Sequence, residues 1–182
     1  MIRKLVRHPL TNVTIFGKET PAGMVISGIS FGVKKTLDGE SAVESNHPAL
    51  RSYAKAVAGF LSGTVTTLAD IPIDLDSTTQ FKKAVLTSCK GIPRGSTVSY
   101  SRLAHMAGYP RAVRAAASVM RNNRFPLVVP CHRVIAKNGG LGGFMGATRG
   151  TAVALKRALL ELEGMSAFVD SGMPQAPGNP EP

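Results

Sequence analysis

The chain has 182 residues, with 22 Lys plus Arg against 11 Asp plus Glu, and only two cysteines, Cys89 and Cys131. That length allows one domain or two small ones with a real core, and two cysteines exclude a disulfide framework and point to a reducing compartment. No apolar stretch approaches the roughly 18 residues of a membrane span, and the basic start MIRKLVRHPLTNV lacks the apolar segment of a secretory signal.

An intracellular protein without a membrane partner is therefore expected, cytoplasmic in a prokaryote or nuclear in a eukaryote. His8, His47, His105 and His132 show no metal-ligand spacing with the cysteines, so no structural metal site is expected. The net charge of +11 is unevenly spread: residues 1–76 carry eight basic and seven acidic side chains, residues 77–164 fourteen and two, and residues 165–182 none and two. Such a one-sided excess suits a polyanion, nucleic acid before others.

Residues 1–76 read as a small sheet-and-helix domain. NVTIFGKE and GMVISGISFGV alternate β-branched runs with glycine, as antiparallel strands do. Leu50, Tyr53, Ala54, Val57 and Leu61 then have helical spacing, stopping at Gly63. The acidic ADIPIDLDSTTQ reads as a connector.

Residues 77–164 read as a mainly helical domain. Ser77 to Gln80 has the pattern of a capping box, opening a helix with Phe81, Val85 and Cys89 inward. SRLAHMAGYPRAVRAAASVMRNN follows, two helical stretches joined at Gly108, with Pro110 suited to the first turn of the second. The pair has the form of a helix-turn-helix. Its second helix carries Arg111, Arg114 and Arg121 around Ala115, Ala116 and Ser118. Small side chains serve helix propensity, and they equally permit close approach to a DNA groove while arginines reach phosphates. A last helix, TAVALKRALLELEG, shows Val153, Leu155, Leu159 and Leu162 as its apolar positions. The proline-rich residues 165–182 read as a disordered tail.

PCHRV, residues 130–134, sits between the apolar PLVV and the glycine-rich KNGGLGGFMG. Cys131 could be a small buried hydrophobe. Beside His132 it could equally be a nucleophile, since an imidazole can take the thiol proton and a carboxylate can orient that imidazole. Pro130 brings the chain in extended before a turn.

PCHRV, the upstream Ser99-Tyr100, the PRAVRAAASVMRNN helix and GGLGGFMG, in that order from about Phe81 to Gly164, resemble the O6-alkylguanine-DNA alkyltransferases, or methylated-DNA–protein-cysteine methyltransferases. The resemblance implies an α/β (α+β) protein that binds double-stranded DNA as a monomer, with cooperativity left open, and moves the alkyl group of an O6-alkylguanine irreversibly onto its own cysteine. It implies Cys131 as acceptor, His132 as its base, Glu163 as the carboxylate orienting His132, with Glu161 the alternative, and Tyr100 as proton donor to the departing base. It implies Asn123 as the holder of the cysteine turn and Arg114 as the finger replacing the flipped base, with Arg111, Ala115, Ala116, Ser118 and Arg121 on the DNA-binding helix. Val134, Phe144, Met145 and Gly146 would form the substrate pocket. Phe144 stands where the family often has tyrosine and Met145 where it has a small residue. A non-catalytic lesion binder, a helix-turn-helix regulator and a cysteine hydrolase are the rival readings. The first lacks an acceptor cysteine, the second leaves Cys-His unexplained, and the third leaves the basic helix without a purpose.

Overall fold

The computed structural model describes residues 1–32, 34, 36–37 and 39–165; the expected tail beyond Met165 lies outside the described residues. Two compact units are present, one of Met1–Thr78 with Arg124–Val128 and the other of Thr79–Asn123 with the chain from Val129 onward. The architecture is mixed α and β: a sheet-bearing first unit and a mainly helical second one.

In the first unit, β1 (Ile2–Val6), β2 (Val13–Thr20) and β3 (Gly23–Phe31) form an antiparallel meander. A two-residue ladder pairs β4 (Thr36–Leu37) with β5 (Glu40–Ser41), and β6 (Val43–Glu44) returns parallel to β1, giving the order β3-β2-β1-β6. β1 was not foreseen, because IRKLV has charges where alternation needs apolar groups. The first helix, α1 (Pro48–Leu61), begins with proline in its first turn and buries Leu50, Val57, Phe60 and Leu61. Tyr53 Oη donates to the Met24 carbonyl at 2.8 Å, fixing this helix to β3. Arg124–Val128 joins this unit through the Ile29 N–H, which donates to the Arg124 carbonyl at 2.7 Å.

The second unit opens with α2 (Gln80–Lys90), whose N-cap is Thr79 rather than the expected Ser77: its Oγ1 accepts the Lys82 N–H at 3.3 Å. Thr79→Ala is expected to cost about 1 kcal/mol of stability, read as a lower urea midpoint at unchanged slope. Val85, Leu86 and Cys89 form the buried face. Next, β7 (Val98–Ser99) runs directly into α3 (Tyr100–Met106), capped by Ser99 Oγ, which accepts the Arg102 N–H at 3.1 Å. A turn with Gly108 at φ 82° leads to α4 (Val113–Arg121). Pro110 and Arg111 therefore lie in the turn before the helix, not in its first turn as expected.

The apolar run before Pro130 is not a strand. Leu127 has φ 74° and the chain turns there, and Cys131–Arg133 makes one turn of 3-10 helix before β8 (Val134–Ile135). The last two strands, β7 and β8, pair in parallel, Val98 with Val134 and Ser99 with Ile135. That short ladder brings the start of α3 beside the Cys131 turn. The last helix among the described residues is α5 (Thr151–Leu162), whose buried face is Lys156, Leu159, Leu160 and the following Glu163. Val153, Leu155 and Leu162 are only half-buried. The expected stripe was displaced because a lysine occupies a core position. Among the described residues, no helix is long and apolar enough to cross a membrane.

Candidate active site

Cys131 opens the 3-10 turn. Its N–H donates to the Val129 carbonyl at 2.8 Å, the same carbonyl that accepts Asn123 Nδ2 at 2.9 Å, so Asn123 holds the segment that presents the sulfur. Burial pushes the Cys131 thiol above its ordinary range, opposed by the hydrogen bond from Asn123 and the nearby charge of Lys156. The resting sulfur is a thiol.

His132 and Glu163 are both buried, and His132 Nε2 lies 2.8 Å from Glu163 Oε1. With Nε2–H donating to the carboxylate, a neutral imidazole leaves Nδ1 as its basic nitrogen. Burial holds the His132 pKa below the ordinary 6.5 despite the carboxylate beside it. Glu161 is exposed, so Glu163 is the carboxylate that meets the histidine. Arg133, not singled out in the sequence, grips the same carboxylate: Nε donates to Oε1 at 3.2 Å and Oε2 at 3.0 Å, and an Nη to Oε1 at 2.7 Å. Burial alone would raise the Glu163 pKa, but the hydrogen bonds and charges of His132 and Arg133 pull it down to about 2.

A cavity of about 250 Å³ opens at the sulfur, lined by Tyr100, Met120, Arg121, Cys131, Phe144 and Met145 among others. That is below the roughly 300–1,000 Å³ of drug-sized sites, so it suits one flat ring system. Cys131 is 5% exposed and is one of the residues lining this space. Burial, then the neighbouring Cys131, pushes the Tyr100 hydroxyl above its ordinary pKa, which keeps it a proton donor at neutral pH. The far wall is a tight hairpin in which Phe144 and Ala147 exchange backbone hydrogen bonds of 2.8 and 3.0 Å, with Met145 at φ 49° and Gly146 at φ 83° between them. Two positive φ values make a turn suited to hairpins, at a strain cost of about 1 kcal/mol for the non-glycine Met145. A side chain at Gly142, with φ 64°, would meet the Tyr100 ring at 3.5 Å.

On α4, Arg114, Ala115 and Ser118 are exposed, and Arg111, Arg114 and Ala115 line a surface depression at its start. Arg121 stands at the cavity instead, near Gly146. Ala116 has no exposed surface. It lies with Val119 and Met120 on the inner side of the helix, so the expectation that it faces DNA is corrected by the helical period, and Ala117 is the alanine at the cavity. Val134 also is not among the residues lining the cavity: it is buried, its N–H donating to the Cys131 carbonyl and its carbonyl accepting from Lys156. Among the described residues, no group of three or more His, Cys, Asp or Glu is placed to hold a metal ion.

Residues 80–165 match the family model described as 6-O-methylguanine DNA methyltransferase, DNA binding domain. A methylated-DNA–protein-cysteine methyltransferase of Methanothermobacter thermautotrophicus is 35% identical over 87% of this chain and 83% of its own length. The chain belongs to the methylated-DNA–protein-cysteine methyltransferase family. A Methanosarcina acetivorans methyltransferase of that name is 30% identical over 90% of this chain and 99% of its own. Among solved structures, Mycobacterium tuberculosis OGT in complex with DNA superposes with a TM-score of 0.74 at 26% identity, covering 94% of this chain and 97% of that one.

This methyltransferase-family chain has two buried cations that motif reading passed over. Arg133 had a signal, standing inside PCHRV, but a guanidinium there gives no hint of an ion pair 30 residues away. Lys156 had a clearer one: it falls three residues before Leu159 and four before Leu160, on the helix's inner stripe.

Proposed function

We propose that this protein repairs duplex DNA by transferring the alkyl group of an O6-alkylguanine, swung out of the stack, to Cys131 Sγ, once per molecule. The observation that carries this reading is Cys131 in the lining of a base-sized cavity, followed in the chain by a buried imidazole hydrogen-bonded to a buried carboxylate. His132 takes the thiol proton, directly or through one water, and Glu163 steadies the resulting imidazolium. The thiolate attacks the alkyl carbon, a C–S bond forms, and the C–O bond breaks with its electron pair passing to the purine. Tyr100 donates a proton to the departing base, neutralising its developing charge. The thioether has no leaving group that water could displace readily, so the protein is spent.

α4 serves as the DNA-facing helix, with exposed Arg114, Ala115 and Ser118 and with Arg111 in the turn before it, and Arg114 fills the gap left by the extruded nucleotide. Phe144, Met145 and Gly146 wall the pocket. No cofactor takes part, and the protein acts as a monomer. The excess of basic residues in 77–164 makes affinity fall with salt through counterion release.

The test is an O6-methylguanine duplex in molar excess over protein, with restored guanine quantified. Product is expected to stop at one equivalent and to vanish in Cys131→Ser; continued turnover, or repair without the thiol, would reject the reading. The pH profile of single-turnover transfer is a further expected result. Because burial depresses His132 below 6.5, the imidazole is neutral and able to accept a proton throughout the neutral range, and the acid limb falls with a midpoint below 6.5. A midpoint above that value would contradict a neutral His132 as the base.

A further inference from the structure

Alkyl transfer as described employs the thiol, the imidazole, the carboxylate and the phenol, and gives no task to Lys156. This lysine has no exposed surface. Its Nζ donates to the carbonyls of Val134 at 2.6 Å, Leu141 at 2.6 Å and Gly143 at 3.3 Å. Three acceptors use all three ammonium protons. None of them is a carboxylate, so the charge is stripped of water without being neutralised. Burial lowers its pKa to about 8, opposed by Cys131 and Cys89. An apolar side chain of similar length would fill the same space without that desolvation.

The carbonyls belong to two pieces of chain that frame the reaction. Val134 starts β8, directly after the Cys131–Arg133 turn. Leu141 and Gly143 flank Gly142, which abuts Tyr100, and Gly143 leads into the Phe144 hairpin. We propose that Lys156 is a positioning residue that clamps the 141–143 segment, which leads into the cavity wall, to the strand leaving Cys131, fixing the distance between bound base and sulfur. The proposal rests on Cys131 being the alkyl acceptor.

The experiment compares wild type with Lys156→Met in three readouts: affinity for undamaged duplex, single-turnover methyl transfer at saturating O6-methylguanine duplex, and the pH profile of Cys131 alkylation by iodoacetamide. Affinity is expected to stay within about 3-fold, since Lys156 touches no surface that meets DNA. Transfer is expected to fall about 100-fold, the typical consequence of misplacing reacting atoms by an ångström. The alkylation profile is expected to stay within about 3-fold of wild type at each pH, because a small reagent needs no wall to place it. A folded Lys156→Met protein with wild-type transfer, or with alkylation reduced as far as transfer, would overturn the proposal.

Should that variant fail to fold, Lys156→Arg carries the test. It keeps the charge but cannot place a planar head on three converging carbonyls, so transfer falls while the alkylation profile stays; wild-type transfer would overturn the clamp. If wild type itself moves no methyl group from duplex, the repair reading has failed; if wild type does and Lys156→Met matches it, only the clamp has.

Discussion

Glu163→Gln is expected to slow transfer to Cys131 by roughly 10²–10⁴-fold, the range seen when an imidazole loses its orienting carboxylate. The amide can keep the hydrogen bond to His132 Nε2, 2.8 Å away in the parent. It cannot offset the positive charge that His132 acquires on taking the thiol proton. The same substitution strands Arg133, whose side chain is 7% exposed and whose guanidinium is bound to both carboxylate oxygens. Removing one member of a buried pair costs about 3–5 kcal/mol, because the other charge stays without compensation.

An independent route gives a similar size. Glu163 is held at about 2 instead of 4.5, a difference worth about 3 kcal/mol by linkage. For a depressed carboxylate, the folded state gains stability wherever the unfolded chain would be ionised only at the cost of losing these partners. The contribution is therefore full above pH 4.5 and is lost as pH falls towards 2. Urea unfolding between pH 2 and 7 should show that slope in wild type and a flatter one in Glu163→Gln. Equal slopes would mean that the carboxylate is not the acid-sensitive group.

Arg114→Ala carries the second large effect, and its value lies in a contrast between substrates. Arg114 is exposed on α4 and away from the cavity that holds Cys131. If it occupies the space vacated by an extruded nucleotide, its loss leaves unstacking uncompensated, at a few kcal/mol, and duplex repair falls by roughly 10–100-fold. Transfer from free O6-benzylguanine, which needs no extrusion, should remain within about 3-fold. Single-turnover rates on both substrates decide the matter, and matched losses would assign Arg114 to folding or to the chemistry.

The sequence made the local chemistry of this site visible, while long-range pairings stayed hidden. Cys131, His132 and Tyr100 stand in short motifs with their own signals, and the structure joins them through one parallel ladder, Val98 with Val134 and Ser99 with Ile135. A two-residue strand has too little pattern to announce itself. β1 was hidden by its charges, and the membership of Arg124–Val128 in the first unit depends on backbone bonds to a strand about a hundred residues earlier. Periodicity misplaced the face of α5 because it counts every lysine as solvent-facing, and Ala116 was assigned outward because alanine gives hydrophobic patterning no sign to read. The inner stripe of Lys156, Leu159, Leu160 and Glu163 shows why the two errors matter: polar residues on a core face are where the chemistry is supported.

The most direct measurement is intact-protein mass followed by peptide mapping after reaction with duplex containing O6-methylguanine. The account predicts one added methyl group per molecule, confined to Cys131, with none on Cys89 and none on a Cys131→Ser protein. An unmodified protein alongside repaired DNA, or a methyl group on any other side chain, would contradict it.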